Sequence, residues 1–298
     1  QNTTGQNNTA VGHSALVSGG GGSANVAVGK DALRNNNAGS NVAVGLAALY
    51  TNTDGEKNVA VGREALRLNT TADHNTGIGY QTLYSNTTGS SNTAVGSQAL
   101  YANTTGASNQ AFGGNALKQL TTGSRNIAIG HNALENNQAG SDNIGIGHDT
   151  IKQITTGAHN NVAVGRAALS KTTVSNNTAV GNQALALTTT GASNTAVGAT
   201  ALYSNTEGIY NAAFSRQALY SNTTGDYNVA VGFASLYNNS TADNNTAIGY
   251  AALNQNTTGT QNVAVGSNAL DANTTADGNV AVGHSALSAV STGQQNTA

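Results

Sequence analysis

Apolar and polar positions recur along this chain with a period of 17 residues. From Asn8 onward, the unit reads asparagine, a β-branched residue, alanine, a second β-branched residue and glycine. Two variable residues, Ala-Leu, a short variable stretch and Asn-Thr-Thr-Gly complete it. The interval from Asn143 to Asn161 is one residue longer and the interval from Asn161 to Asn177 one residue shorter. Since length changes are tolerated in loops, we expect the stretch after leucine to be a loop.

A unit of this length is too short for a pair of helices, and its glycine, asparagine and β-branched residues favour strands and turns. The sequence therefore predicts an all-β fold, a β-solenoid or parallel β-roll of about seventeen 17-residue coils. We expect residues 1–298 to form one continuous array, an excerpt of a longer fibre protein.

Alternation within the strand assigns its two faces. In Val42-Ala43-Val44, both valines point to one side and Ala43 to the other. We expect a second short strand at Ala-Leu, with its leucine inside the coil. We expect the interior of a coil to hold one leucine, one or two valines and some alanine. The predicted core residues are Val44, Leu49, Val61, Leu66, Val95, Leu100, Ile129 and Leu134.

The position between the two β-branched residues holds only alanine or glycine. A surface pressed against another backbone requires residues of this size, so we expect a close chain–chain contact there; a narrow coil interior imposes the same limit. Burial of apolar surface in one coil only just offsets the conformational entropy that is lost when the coil becomes ordered. This close balance also favours assembly with another chain.

Three further columns repeat up the array. The glycine after the strand suits a turn with positive φ, and Ser215 replaces it at one predicted weak corner. The asparagine before the strand predicts a ladder of hydrogen bonds between side chains, and tyrosines after leucine predict stacks that are candidate contacts for a glycan or partner chain. These columns include the turn glycines Gly45, Gly62, Gly96, Gly130, Gly232 and Gly266, the ladder residues Asn41, Asn58, Asn92, Asn126, Asn228 and Asn262, and the tyrosines Tyr84, Tyr101, Tyr203, Tyr220 and Tyr237.

The composition of the chain argues against nucleic acid and membranes as partners. Only 8% of residues are charged, the formal net charge is -2, and cysteine is absent. Lysine and arginine are too sparse to neutralise many phosphates, so we expect no nucleic-acid partner. No apolar run approaches the length of a spanning helix, so we expect no membrane insertion by this segment.

The strand motif resembles a known family. Asn-Val-Ala-Val-Gly, and Asn-Ile-Ala-Ile-Gly at residues 126–130, are similar to the Ser-Val-Ala-Ile-Gly repeat in the head domains of YadA-like trimeric autotransporter adhesins. They also resemble repeat regions of phage tail fibres. The resemblance implies a left-handed parallel β-roll, a homotrimer around a shared apolar axis, and an extracellular role in adhesion or spacing.

Residues for chemistry are scattered. No nucleophile elbow, phosphate-binding loop, dinucleotide fingerprint or zinc-protease motif occurs. His131 and His148 fall on adjacent coils, and Asp73, Asp243 and Asp277 recur in one turn position, but no third ligand type accompanies them. We expect no enzyme activity, no cofactor and no metal.

These features favour a non-enzymatic extracellular fibre or adhesin segment, on a cell surface or in a virion tail fibre. We expect self-association as a homotrimer or filament, with a host surface or glycan as a further partner. The alternatives are an ice-binding β-solenoid and a single-chain subunit of a self-assembling filament.

Overall fold

A computed structural model of the chain describes residues 4–18, 21–154 and 157–298. The chain forms two compact units: Gln1–Asp149 with Ile154–Ala158, and Thr150–Gln153 with His159–Ala298. Both are all-β parallel solenoids in which each coil contributes one three-residue strand, and the described residues form no helix. The predicted solenoid class is confirmed.

The described residues of the first unit form nine strands, and within this unit the strands of successive coils are hydrogen-bonded in parallel. Pairing is in register, so Val42 lies opposite Val59 and Ala43 opposite Ala60. A repeating sequence in register places identical side chains above one another. The strands are β1 (Thr9–Val11), β2 (Val26–Val28), β3 (Val42–Val44), β4 (Val59–Val61), β5 (Thr76–Ile78), β6 (Thr93–Val95), β7 (Gln110–Phe112), β8 (Ile127–Ile129) and β9 (Ile144–Ile146).

The second unit repeats the arrangement with eight strands. Val229 lies opposite Thr246, and Val263 opposite Val280. The strands are β10 (Val162–Val164), β11 (Thr178–Val180), β12 (Thr195–Val197), β13 (Ala212–Phe214), β14 (Val229–Val231), β15 (Thr246–Ile248), β16 (Val263–Val265) and β17 (Val280–Val282).

The predicted second strand at Ala-Leu is wrong. This segment is a tight turn in which Gln98 and Leu100 have φ of 56° and 52°, the left-handed region. That conformation costs on the order of 1–2 kcal/mol for a residue with a side chain. Stacking of the coils stabilises it, because the Leu100 amide donates to the Ala116 carbonyl of the next coil at 2.9 Å.

The leucines that this turn directs inward form the centre of each coil. Leu49, Leu66, Leu100 and Leu134 are all 0% exposed, as expected for core residues. Burying a leucine contributes about 1.5–3 kcal/mol.

The strand faces are the reverse of the prediction. Ala43 and its equivalents are 0% exposed inside the coil, and the β-branched residues point outward. Four predicted core residues therefore lie outside the core: Val44, Val61 and Val95 are half-buried, and Ile129 is 41% exposed.

The leucines explain this reversal. A Cβ atom added to Gly77 would lie 3.5 Å from two side-chain carbons of Leu66, which is ordinary contact distance. The space facing each leucine therefore fits one methyl group and no branched side chain. The Ala/Gly position is small because the coil is narrow, so the expected chain–chain contact at this position is wrong.

Candidate interaction surface

The asparagine before each strand joins neighbouring coils, though mainly through the backbone. Asn41 Oδ1 accepts from the Asn58 backbone N–H at 2.9 Å, and Asn58 Nδ2 donates to the Ala72 carbonyl at 2.8 Å. Asn92, Asn126, Asn228 and Asn262 follow the same pattern. Contacts between these side chains themselves are longer, as in Asn126 Nδ2 to Asn109 Oδ1 at 3.1 Å. The column is a ladder as predicted, but its principal partners differ from the prediction.

A second asparagine column forms the ladder between side chains. It consists of the asparagine of Asn-Thr-Thr-Gly: Asn86 Nδ2 donates to Asn69 Oδ1 at 2.9 Å, and Asn103 Nδ2 donates to Asn86 Oδ1 at 2.7 Å. We call it the turn-asparagine ladder. Each Nδ2 also donates to the carbonyl three residues later, such as Gly89 O at 2.9 Å. The motif suggested only a turn; its 0% exposure in successive coils identifies the ladder.

This ladder is interrupted where the sequence departs from asparagine. In the next coil, Leu120 occupies the position equivalent to Asn103. Asn103 Oδ1 is therefore left buried without a hydrogen-bond partner. Val290 follows Asn273, whose Oδ1 is likewise unpartnered. An unsatisfied buried acceptor costs about 1–3 kcal/mol, so both are local weak points.

The glycine that follows the strand forms a corner in which the next coil crowds a Cβ atom. The predicted turn glycines all have positive φ, and a Cβ on Gly96 would lie 2.6 Å from the Gly113 carbonyl. Their φ values are 137° for Gly45, 134° for Gly62, 131° for Gly96, 130° for Gly130, 132° for Gly232 and 137° for Gly266. Ser215 adopts the same corner with φ of 121°, a strained conformation for a residue with a Cβ.

The two threonines of each turn have different environments. Thr87 is half-buried, and its hydroxyl donates to the Thr104 carbonyl of the next coil at 3.0 Å. Thr88 is exposed. The exposed threonines follow one another on successive coils at Thr71, Thr88, Thr105 and Thr122.

The predicted tyrosine stacks are present. Tyr84 and Tyr101 stack with ring centroids 5.2 Å apart, while Tyr203, Tyr220 and Tyr237 form a stack of three at 5.3 and 5.1 Å. All five are half-buried, and the ring faces inside each stack cover one another.

Arginine extends the first of these stacks. The Arg67 guanidinium lies 5.6 Å from the ring centroids of both Tyr50 and Tyr84, within cation–π range. Its Nη1 also donates to the Tyr84 hydroxyl at 2.5 Å. This face of Tyr84 is therefore already occupied within the chain.

The most extensive exposed feature is the outward side of the strands. Its column contains the second β-branched residue of every strand or a phenylalanine in its place. In the first unit Ile78, Phe112, Ile129 and Ile146 are 37–41% exposed; in the second, Phe214, Val231 and Ile248 are 37–40% exposed. We call this column the outer apolar face. The sequence pattern does not reveal this face, because the hydrophobicity of these side chains predicts a place in the core.

Charged groups occupy isolated places around the coils. His131 and His148 stack at 5.4 Å, and His148 Nδ1 lies 2.7 Å from Asp149 Oδ2. Arg125 and Asp142 form an exposed two-bond ion pair at 2.6 and 2.8 Å, which raises the pKa of the guanidinium. Within residues 4–18, 21–154 and 157–298, no three His, Cys, Asp or Glu side chains cluster in a way that could hold a metal ion.

The aspartates of the Thr-Ala-Asp turns bond to backbone amides. Asp73 Oδ1 accepts from the Glu56 N–H, Asp243 Oδ1 from the Asp226 N–H and Asp277 Oδ1 from the Thr260 N–H, each at 2.7 Å. Serines perform the same function in other coils, as Ser124 does for the Ala107 N–H at 3.0 Å. This column thus joins consecutive coils.

In the part of the chain that the structure describes, no helix has the length and hydropathy of a membrane span. Comparison with protein-family models finds no matching family, and comparison with curated proteins finds no matching relative.

Proposed function

We propose that this chain is a non-enzymatic extracellular structural segment of a fibre or adhesin that self-associates through its outer apolar face. The observation that carries the proposal is this column of branched and aromatic side chains, each half-buried or exposed in the single chain. Contiguous exposed apolar surface in a soluble protein typically marks an interaction site.

The structure of one coil supports self-association. The small interior residue and the leucine fill the coil, so a coil has no internal need for a branched side chain on its outer side. Threonine, like valine and isoleucine, has a high β-propensity, so it would suit an exposed strand face equally well. Valine, isoleucine or phenylalanine nevertheless occupies the last position of each of the seventeen strands in the described residues, which favours burial of this column against another molecule.

A second copy of the chain is the partner that a repeating face fits best. The face recurs with the coil spacing, and an identical face on another copy repeats with the same spacing, so contacts can form along its length. A homotrimer around these faces agrees with the resemblance to trimeric adhesins and tail fibres. The segment would then act outside the cell, on a cell surface or in a virion tail fibre, and contact a host surface or glycan through its variable turns.

Light scattering of the purified chain tests this assembly. We expect a trimer for the natural chain and a shift toward monomer for Ile129→Asp, because a carboxylate in an apolar interface is costly to desolvate. Thr88→Asp is the matched control: it places the same charge on an exposed turn and should leave the mass unchanged. A β-rich monomer would contradict trimerisation and favour the single-chain filament subunit.

Ice binding is a second candidate because of the exposed threonine column. Thr71, Thr88, Thr105 and Thr122 present side chains at the spacing of the coils, as a regular ice-binding surface would require. The neighbouring threonine of each turn uses its hydroxyl hydrogen inside the chain, which leaves one regular column instead of two.

A further inference from the structure

Two tyrosines of the second unit form a stack far more exposed than the columns after leucine. Tyr210 and Tyr227 have ring centroids 5.3 Å apart and an interplanar angle of 12°. They are 54% and 53% exposed. Each tyrosine lies directly before a strand asparagine, at a corner position where the repeat has no preferred residue type. The repeat motif therefore does not predict an aromatic stack there.

The Tyr210–Tyr227 stack ends at Tyr210, because the coil before Tyr210 has Ser193 at the equivalent position. Ser193 holds the same position one coil earlier, and its φ of 59° matches the 55° of Tyr210 and the 56° of Tyr227. The three side chains therefore leave the corner in the same direction. Because successive rings lie one coil apart, the short serine leaves a slot about as thick as one six-membered ring above the free face of Tyr210.

Other aromatic columns do not offer such a slot. Arg67 covers Tyr84, and Tyr203 belongs to a half-buried stack of three rings. Tyr250 is 58% exposed, but it stacks on Phe233 beside the outer apolar face, which the proposed assembly would cover. Among the described aromatic residues, Tyr210 thus combines an exposed ring, a small preceding residue and a position on a turn.

The surroundings of the slot are polar. Asn176 precedes Ser193 in the same corner column and is exposed. Thr190 and Glu207, also exposed, lie three residues before Ser193 and Tyr210 in their coils. An aromatic face with hydroxyl, amide and carboxylate groups around it matches a sugar ring, whose C–H groups pack on the electron-rich face while its hydroxyls form hydrogen bonds.

We propose that the slot over Ser193 binds a neutral hexopyranose that presents a contiguous C–H face, as β-galactosides do. The sugar ring lies parallel to the Tyr210 ring and extends the stack by one member. Glu207 accepts hydrogen bonds from sugar hydroxyls and disfavours acidic sugars such as sialic acid through like-charge repulsion. The site deepens the adhesive part of the proposed function but lies within one chain, so it does not depend on trimerisation.

Saturation-transfer NMR on the full chain with methyl β-D-galactopyranoside tests the site. We expect transfer to the H3, H4 and H5 protons of the sugar and weaker transfer to N-acetylneuraminic acid. Ser193→Tyr fills the slot with the chain's own ring, and Tyr210→Ala removes the platform. Each should weaken galactoside binding by at least about tenfold. Tyr203→Ala, in a half-buried stack, is the control and should bind as the natural chain does.

Circular dichroism confirms that each variant is folded. Absence of transfer to the galactoside in the natural chain, or undiminished binding in a folded Ser193→Tyr or Tyr210→Ala variant, overturns the proposal. Light scattering on the same samples separates this outcome from a failure of self-association, because sugar binding and trimer mass are measured independently.

Discussion

Replacing Asn86 with alanine removes three hydrogen bonds from the turn-asparagine ladder. Asn86 is 0% exposed; its Nδ2 donates to Asn69 Oδ1 and Gly89 O, and its Oδ1 accepts from Asn103 Nδ2. Each hydrogen bond contributes about 0.5–1.5 kcal/mol, and acceptors that lose their donor while buried add desolvation costs of about 1–3 kcal/mol. We expect a local destabilisation of about 3–5 kcal/mol.

The loss should be measured locally, because repeat arrays need not unfold as one cooperative unit. Hydrogen exchange followed by mass spectrometry reports the opening of individual coils. Peptides spanning residues 69–106 should exchange roughly a hundredfold faster or more in Asn86→Ala. Peptides spanning residues 222–256 contain an equivalent intact ladder and serve as an internal reference.

Ser85→Ala is the matched control for this prediction. Ser85 is the half-buried neighbour of Asn86, and its substitution should change the local free energy of unfolding by less than about 0.5 kcal/mol. If Asn86→Ala costs less than about 1 kcal/mol, the turn-asparagine ladder does not stabilise the coil, and the argument from its hydrogen bonds is refuted.

Five other substitutions test three parts of the coil: the corner after the strand, the turn threonines and the interior. Ser215→Gly should raise stability by about 1 kcal/mol in thermal unfolding, because it relieves a corner with positive φ; no increase would contradict the strain. Thr87→Val should cost about 1 kcal/mol and Thr88→Val almost nothing, since only the first hydroxyl bonds to the next coil. If the Thr88 column binds ice, the natural chain should show thermal hysteresis and Thr88→Val should reduce it; no hysteresis in the folded chain removes that candidate. Leu100→Asp should unfold its coil and accelerate local hydrogen exchange, whereas Ser91→Asp, on an exposed corner, should be nearly silent; equal effects would refute the assignment of Leu100 to the interior.

Features that repeat exactly once per coil could be predicted from the sequence. A local residue type predicts the strand before the glycine, the glycine corner at Gly96 and the inward Leu100. Repetition in register predicts the stacking of Tyr84 on Tyr101. Repetition alone places like residues above one another, whatever the path of the coil.

Hydrogen-bond partners depend on that path and were harder to predict. The strand asparagines could pair with each other or with the backbone, and the backbone amide of the next coil proves to be closer in the ladder of Asn41 and Asn58. The turn asparagine Asn86 forms the ladder between side chains, although its motif suggests only a turn. The repeat places asparagines in register in both columns. It therefore does not show which column bonds to the backbone and which bonds side chain to side chain.

The sequence by itself determined that this chain is a β-solenoid with a strand before the glycine and, in nearly every coil, an interior leucine. The tertiary structure alone shows that Ala-Leu is a turn and not a second strand. Only the tertiary structure decided which strand face is inside. Alternation in Val42-Ala43-Val44 shows that the two faces differ, and hydrophobicity alone favours placing the valines within. The left-handed turn directs Leu49 into the coil. At the equivalent Leu66, a methyl group added to Gly77 would already be in contact at 3.5 Å, which leaves no room for a branched side chain. Alanine therefore lies inside, and the branched side chains form the outer apolar face.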